Sequence, residues 1–273
     1  MGRQHGWRSA LIVAGVVSCG IAVALIASSG GALVRPRGCY EKAKAEVCSV
    51  LFVGNSYTYV NGLPAIFAKL ARSGRRAVEA GIDAQAGASL GKHITSGDIK
   101  GAMKLSRWNV VVLQEQSEIP AIPSLRNTYM YPAVRQLVAT SQDSGAQAIL
   151  FLTWAHRDGW PAQGLVGYSN MQSAVDVGYL KIARQLRVAV APVGYAWAAT
   201  LAENPSARLW RDDGSHPTVE GTYLAACVFY AAIFGESPER LLYHADLPIG
   251  VAAVLRRVAA KIVLGQPARW GLG

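Results

Sequence analysis

The stretch that decides the fold is SVLFVGNSYTYVNGLP, residues 49–64. Residues 50–53 are apolar and run directly into Gly54-Asn55-Ser56, and a helical pattern follows from Leu63. This order predicts a buried strand, a tight turn and a helix. The first side chains after a parallel strand lie at the carboxyl edge of its sheet, where open α/β folds bind their ligands. Ser56 is therefore a candidate nucleophile.

The rest of the chain continues to alternate short apolar runs with helical patterns. Strands are predicted at residues 50–53, 77–84, 109–113, 146–153 and 188–191. Helices are predicted at residues 63–73, 129–144, 168–186, 195–202, 217–234 and 248–264, with short helical pieces in a loop over 87–106. Strands that alternate with helices predict a mostly parallel sheet of about five strands with helices on both faces, a three-layer α/β domain.

Length, composition and charge narrow the class of protein. The chain has 273 residues, of which 51% are hydrophobic, so it can bury a sizeable core and is not expected to be disordered. The net charge is +10, but no run of five or more Lys or Arg occurs. This pattern does not favour nucleic-acid binding and is compatible with an anionic envelope or membrane surface.

The first 34 residues predict an N-terminal signal or membrane anchor. Residues 1–9 contain Arg3 and Arg8, and residues 10–34 contain no charged residue. A helix of that length can span a hydrocarbon layer of roughly 30 Å. An uncleaved anchor, a cleaved secretory signal and a lipoprotein signal at Cys19 all remain open. Each of them would export the remainder of the chain.

The cysteines agree with export. Cys39 and Cys48 stand nine residues apart in the predicted linker, residues 35–48, where a disulfide is possible in an oxidising compartment. Cys227 lies in an apolar helical pattern, as a packed small side chain would. No zinc-ligand spacing occurs, so neither a metal nor another cofactor is expected. The remaining residues, 49–273, predict one domain.

A second polar stretch, RDDGSHPT at residues 211–218, supplies partners for a serine. Asp213 precedes His216 by three residues, so its carboxylate can reach one ring nitrogen and leave the other free to face a serine. Pro217 is expected to start the next helix, with His216 at its N-terminal edge. Asp212 is an alternative partner with a spacing one residue longer. An ordinary capped helix start would have the same composition.

Two further motifs offer competing chemistry. Residues 87–91, GASLG, match the G-x-S-x-G elbow, but the strand before Ser89 is weak and only one other strand precedes it. Gly87 is more useful as a backbone N–H donor. Residues 114–117, QEQS, follow the third strand, and Glu115 with Glu118 leaves a glycosidase-like carboxylate pair as a minor option.

Gly54-Asn55-Ser56, Gly87 and the Asp213-x-x-His216 motif resemble the SGNH, or GDSL-type, hydrolase superfamily, and the GNSYT form resembles a divergent bacterial branch of it. The resemblance covers most of residues 49–235. It implies a flavodoxin-like α/β/α fold and ester hydrolysis by a Ser-His-Asp triad. Ser56 would be the nucleophile, His216 the base and Asp213 its orienting carboxylate. The backbone N–H groups of Ser56 and Gly87 would form the oxyanion hole.

The sequence departs from the family pattern at two places. Asn55 stands where the family usually has Asp, and QEQS replaces the G-x-N-D block whose Asn supplies a third oxyanion donor. Gln116, or alternatively Gln114, is expected to supply that donor, since an amide side chain can donate a hydrogen bond.

The resulting expectation is an envelope esterase. The chain would deacylate an exported carbohydrate or lipid ester in the bacterial cell envelope, either membrane-anchored or secreted. An acyltransferase acting on envelope glycans and a non-catalytic, membrane-tethered binding module are the alternatives. Trp154, Trp160 and Trp210 are candidates for stacking on sugar and equally for core or lid positions. The pattern leaves the oligomeric state open.

Overall fold

The computed structural model describes Met1 and residues 37–40, 46–105 and 107–272. The chain divides into the units Met1–Gly31 and Ala32–Gly273, and the fold below is that of the second unit. The predicted signal or anchor at residues 1–34 lies outside the described residues, apart from Met1. In the described ranges, no helix has the length and apolar character needed to cross a bilayer.

Strands and helices alternate along the described chain. The strands are β1 Cys48–Gly54, β2 Val78–Ala84, β3 Val110–Leu113, β4 Gln147–Phe151, β5 Gly159–Trp160, β6 Leu165–Val166 and β7 Ala189–Ala191. The helices are α1 Arg37–Tyr40, α2 Ser56–Tyr59, α3 Leu63–Ser73, α4 Leu90–Ser96, α5 Asp98–Leu105, α6 Pro123–Leu125, α7 Tyr131–Asp143, α8 Gly167–Leu186, α9 Val193–Glu203, α10 Val219–Phe234 and α11 Ile249–Leu264.

The central sheet has five parallel strands in the order β2-β1-β3-β4-β7, which confirms the predicted flavodoxin-like architecture. All four residues of β3 are buried, as expected for a strand covered on both faces. The register pairs Val53 of β1 with Leu113 of β3. The turn after β1 and the segment after β3 therefore lie side by side at the carboxyl edge of the sheet.

Helices cover the sheet in two groups. One group contains α3, α9, α10 and α11, and the other contains α7 and α8, which pack on β3, β4 and β7. Helix α10 is buried along nearly its whole length, because it is apolar on all sides. Phe229 of α10 contacts the rings of Phe52 and Phe151 edge-on, at centroid distances of 5.2 and 4.9 Å. This aromatic contact ties α10 to the centre of the sheet.

Two local features differ from the sequence-based prediction. Strands β5 and β6 form a small antiparallel hairpin that was not predicted, because two-residue strands carry no periodicity. The expected helix start at Pro217 is wrong: α10 begins at Val219, with Thr218 as its N-cap accepting from the N–H of Gly221. Pro217 instead forms a β-bridge with Trp210.

Candidate active site

The turn after β1 places Ser56 as the first residue of α2. The Asn55 side chain caps this short helix by accepting from the N–H of Tyr57 at 3.0 Å. Its amide nitrogen donates to the carbonyl of Ala88 at 3.1 Å. An ionised Asp, the usual residue of the family, could accept the first of these bonds but not donate the second. The Asn therefore links the turn that carries Ser56 to the loop that carries Gly87.

His216 lies between Ser56 and Asp213, within hydrogen-bonding distance of both. His216 Nε2 lies 2.9 Å from Ser56 Oγ, and His216 Nδ1 lies 2.7 Å from Asp213 Oδ2. Ser56 and His216 are half-buried, whereas Asp213 is exposed. The residues that the sequence assigned to a triad are thus adjacent in space and in the order that proton transfer from a serine requires.

The loop that carries Asp213 holds the carboxylate in place. Asp213 Oδ1 accepts from the backbone N–H groups of Ser215 and His216, both at 2.9 Å. Slight burial raises the pKa of Asp213, but hydrogen bonds from Ser215 and His216 outweigh it and leave the pKa below its ordinary value. His216 pairs with Asp213 and not with Asp212, whose carbonyl accepts from the Arg157 guanidinium.

An aromatic stack supports this loop from the core. Tyr57 stacks on Trp154 at 4.5 Å, and Trp154 stacks on Trp197 at 4.2 Å. The Tyr57 hydroxyl lies 2.8 Å from Ser215 Oγ, and Trp154 Nε1 donates to the carbonyl of Ser215 at 2.9 Å. Trp154 is buried, so of the three tryptophans considered for sugar stacking it is a core residue. Burial raises the pKa of Tyr57, which keeps the phenol neutral.

The Ser56 hydroxyl lies in an open cleft of about 450 Å³. The cleft lining includes Gly87, Gln116, Ser117 and Tyr59 besides Ser56 and His216. Gly87 has φ = 63°, a left-handed conformation that glycine adopts without steric cost. Ser56 is the first residue of its helix, so its N–H has no partner within the helix. Both backbone N–H groups named in the sequence analysis thus belong to residues that border the cleft.

The two glutamines differ in their availability. Gln114 is fully buried: its Oε1 accepts from the N–H of Asn55 and the hydroxyl of Thr58, and its amide nitrogen donates to the carbonyl of Glu115. Because that nitrogen is engaged away from the cleft, the alternative assignment of Gln114 as an oxyanion donor does not fit. Gln116 does line the cleft, and its Nε2 has only long contacts, of 3.5 and 3.4 Å, with Ser117 and Glu118.

The competing motifs have structural roles. Ser89 is the N-cap of α4 and accepts from the N–H of Lys92. Glu115 is fully buried and accepts from the N–H groups of Leu90 and Gln116. Burial raises the pKa of Glu115 to about 7, partly offset by these two hydrogen bonds. A buried carboxyl held in this way does not form a glycosidase pair with Glu118 across a cleft.

Sequence reasoning missed one supporting group, His93. This histidine is buried, and its Nε2 lies 2.8 Å from the carbonyl of Gly54. A carbonyl only accepts, so this nitrogen carries the proton. His93 Nδ1 lies 3.3 Å from Asp83 Oδ2. His93 and Gln114 thus hold the turn before Ser56 from two sides. A lone His in a helical pattern gives no signal for such a role.

Two further observations concern the cysteines and the possible metal ligands. Cys39 and Cys48 form a disulfide with a Cα–Cα distance of 5.5 Å, and Cys227 is buried. Within the part of the chain that the structure describes, no cluster of three or more His, Cys, Asp or Glu could hold a metal ion.

No protein-family model and no curated protein matches this sequence. Solved structures do match. A candidate SGNH hydrolase from Slackia heliotrinireducens is 26% identical, with a TM-score of 0.60, and the match covers 69% of this chain and all of that one. A DUF4886 family protein from Bacteroides uniformis is 17% identical, with a TM-score of 0.69, over 80% of this chain and 95% of its own. The acetylxylan esterase Axe2 from Geobacillus stearothermophilus is 17% identical, with a TM-score of 0.54, over 70% and 96%.

The matching structures include a candidate SGNH hydrolase, a candidate GDSL-like lipase and acetylxylan esterases. They support a hydrolase in general. The fold, together with the similarity to the candidate SGNH hydrolase, supports an SGNH/GDSL-type hydrolase superfamily for this chain.

Proposed function

We propose that the chain is a serine ester hydrolase in which Ser56 is the nucleophile, His216 the general base and Asp213 the carboxylate that orients it. One observation carries this proposal: the continuous hydrogen-bond path from Ser56 Oγ through His216 to Asp213, at 2.9 and 2.7 Å, beside an open cleft. A serine hydroxyl becomes a useful nucleophile only when an adjacent base can take its proton.

The reaction would proceed in two halves. Ser56 Oγ attacks the ester carbonyl carbon while its proton moves to His216 Nε2, and Asp213 stabilises the imidazolium that forms. The tetrahedral intermediate collapses when His216 returns the proton to the departing alcohol oxygen, which leaves an acyl-serine. Water then attacks the acyl-serine with His216 again as base, and the acid and free Ser56 are released.

The negative charge of the intermediate would be held by the N–H groups of Ser56 and Gly87, with the amide of Gln116 as third donor. Donors of this kind each typically contribute about 3–4 kcal/mol to the transition state. The left-handed backbone at Gly87 and its place on the cleft wall favour its role. Gln116 Oε1 accepts from the backbone N–H groups of Glu118 and Ile119, at 2.9 and 3.2 Å, which holds the amide in place. The long contacts of Nε2 leave its N–H donors available to a ligand in the cleft.

The substrate we propose is an exported carbohydrate or lipid ester. The charge-free residues 10–34 and the Cys39–Cys48 disulfide favour an extracytoplasmic domain, because disulfides persist in oxidising compartments. The chain would therefore act in the bacterial envelope, either anchored to the membrane or secreted. A cleft open to solvent suits an ester on a large carrier.

Hydrolysis of short acyl esters tests the proposal. The wild-type chain should hydrolyse them, and Ser56→Ala should abolish turnover. Ser89→Ala is the matched control, because Ser89 is a helix cap away from the cleft lining, and it should keep most activity. Transfer of the acyl group to an added sugar instead of water would indicate an acyltransferase. Absence of any turnover in the wild type would indicate a non-catalytic binding module.

A further inference from the structure

A second concavity, of about 510 Å³, lies beside the loop that carries Asp213 and His216. We call it the arginine groove and define it by six of its lining residues: Arg157, Arg208, Trp210, Arg211, Asp212 and Thr218. It contains three guanidinium groups and one carboxylate. None of the chemistry described above uses it.

The wall of the arginine groove is built from the same loop as the triad. The N–H of Arg211 donates to the carbonyl of His216 at 2.8 Å. The N–H of Arg157 donates to the carbonyl of Gly214 at 2.7 Å, and its guanidinium donates to the carbonyl of Asp212 at 3.3 Å. Asp212 precedes Asp213 directly, so the groove starts about 4 Å along the chain from the triad carboxylate.

Some guanidinium N–H donors of the arginine groove have no acceptor within the part of the protein that the structure describes. The Arg208 side chain is exposed and has no hydrogen-bond or ion-pair partner among the described residues. The backbone of Arg208 is held by Thr218, whose hydroxyl donates to the Arg208 carbonyl. Arg211 uses its side chain on the carbonyl of Pro217 and on Asn61, which leaves several of its five N–H groups free. Arg157 Nε pairs with Asp158 Oδ2 at 3.4 Å, so the unused guanidinium donors of the groove belong mainly to Arg208 and Arg211.

Trp210 gives the groove a rigid aromatic surface. Its Nε1 donates to the carbonyl of Ala155 at 3.1 Å, and its ring meets those of Tyr168 and Trp197 edge-on at 5.2 and 5.4 Å. The side chain is only half-buried, so part of it faces the groove. A fixed aromatic ring beside guanidinium groups suits a ligand with both an apolar face and a negative charge.

We propose that the arginine groove binds a carboxylate-bearing sugar, a uronic acid residue, on the same glycan whose ester is cleaved at Ser56; this rests on the proposed function. Arginine pairs with a carboxylate through two parallel N–H donors, so it selects a ligand both by its negative charge and by its orientation. The concave shape and Trp210 favour a sugar over the flat surface of an anionic membrane.

The basic surface of the arginine groove is short. The cavity that adjoins Arg208 has acidic as well as basic side chains in its lining. Glu203 is paired there with Arg257 and Lys261, and Glu220 also lines the cavity, so the excess of guanidinium groups does not continue into it. The arginine groove therefore has room for one or two acidic sugar residues and not for an extended acidic chain. Binding there would place a neighbouring acylated residue toward the cleft, and so would favour acidic glycan esters over neutral ones.

The test compares two substrates with the same backbone: acetylated oligogalacturonides, and the same oligomers with their carboxyl groups methyl-esterified. Acetate release gives kcat/KM for each, and the acid-to-neutral ratio is the readout. We expect the ratio to exceed one at low salt and to fall at high salt. Arg208→Gln should lower it about three- to fivefold, the upper range for one exposed ion pair. Arg240→Gln is the control: Arg240 is exposed and lies beyond the far end of α10, so the ratio should not change.

Two further measurements distinguish failure of the groove proposal from failure of the proposed esterase activity. Turnover of 4-nitrophenyl acetate reports on the triad without the groove. If the enzyme hydrolysed this ester but had an acid-to-neutral ratio near one, the groove proposal would be refuted and the proposed esterase activity would be supported. Titration of the Ser56→Ala chain with deacetylated oligogalacturonide reports the groove alone. No binding there, or binding unaffected by Arg208→Gln, would overturn the proposal. Arg208-dependent binding to phosphatidylglycerol vesicles without glycan binding would overturn it in favour of a membrane contact.

Discussion

Replacing Asn55 by Asp, the residue that is usual in the family, should impair this chain. The Asn55 amide nitrogen donates to the carbonyl of Ala88 at 3.1 Å in a buried position. Asp cannot make this bond when ionised, and it would place a carboxylate oxygen against a carbonyl oxygen. The loop displaced by that repulsion contains Gly87, the proposed oxyanion donor.

The size of the effect follows from burial. A buried polar group that loses its partner costs about 1–3 kcal/mol, and more when it is charged. We therefore expect Asn55→Asp to lower the free energy of unfolding by about 2–3 kcal/mol. Complete loss of an oxyanion donor lowers kcat about 10²- to 10³-fold, so a displaced donor should lower it about tenfold or more.

Denaturant unfolding and hydrolysis of a short acyl ester measure the two effects. Asn170→Asp is a matched control, because the Asn170 amide also donates to a backbone carbonyl, that of Val166, but at an exposed position where water can replace it. We expect the control to change stability by about 0.5 kcal/mol or less. If Asn55→Asp behaved like Asn170→Asp in both assays, the role assigned to the Asn55–Ala88 bond would be refuted.

Three further changes test the site. Asp213→Asn should lower kcat by about 10⁴-fold, because the amide favours the wrong tautomer of the base, whereas Asp212→Asn should have little effect; similar losses in both variants would contradict the assignment. In Gly87→Ala, the new methyl group meets no atom of the described residues beyond its chain neighbours within 4 Å, so the only cost comes from the left-handed backbone. We expect this substitution to lower the free energy of unfolding by about 1–2 kcal/mol, measured by thermal unfolding. Because the pKa of Glu115 is raised to about 7 in the folded state, stability should fall as pH rises from about 4.5 to 7. Glu115→Gln should reduce the loss of unfolding free energy between pH 5 and pH 8 by about 3 kcal/mol. The same pH dependence of stability in the variant and the wild type would rule out this role of Glu115.

The sheet and the spacing of its helices could be predicted because their signals are local. The run at residues 110–113 is apolar throughout, and the structure buries it on both faces in the centre of the sheet. Ser56 follows the first strand directly, and Asp213 and His216 are close in sequence. The juxtaposition of these residues in space follows from the order of the strands and from the loop before α10.

The supporting contacts could not be predicted, because they join residues far apart in the chain. The bond between Asn55 and Gln114 spans 59 residues, and that between His93 and Gly54 spans 39. In sequence, an amide after a strand looks the same whether it faces a cleft or the core. The sequence therefore does not separate Gln116, which lines the cleft, from Gln114, whose amide nitrogen is engaged in the core. Likewise, Thr218 and Pro217 are both common at helix starts, and only the hydrogen bond of Thr218 identifies the cap.

The most direct test of the proposed catalytic role of Ser56 is labelling with a fluorophosphonate probe, followed by mass spectrometry of the labelled peptide. An activated serine reacts with such a probe, while an ordinary one does not. We expect a single label on Ser56, lost in Ser56→Ala and strongly slowed in His216→Ala. Labelling of Ser89 or Ser117 instead, or no labelling of a folded chain that also fails to turn over short esters, would contradict the assignment of Ser56 as the nucleophile.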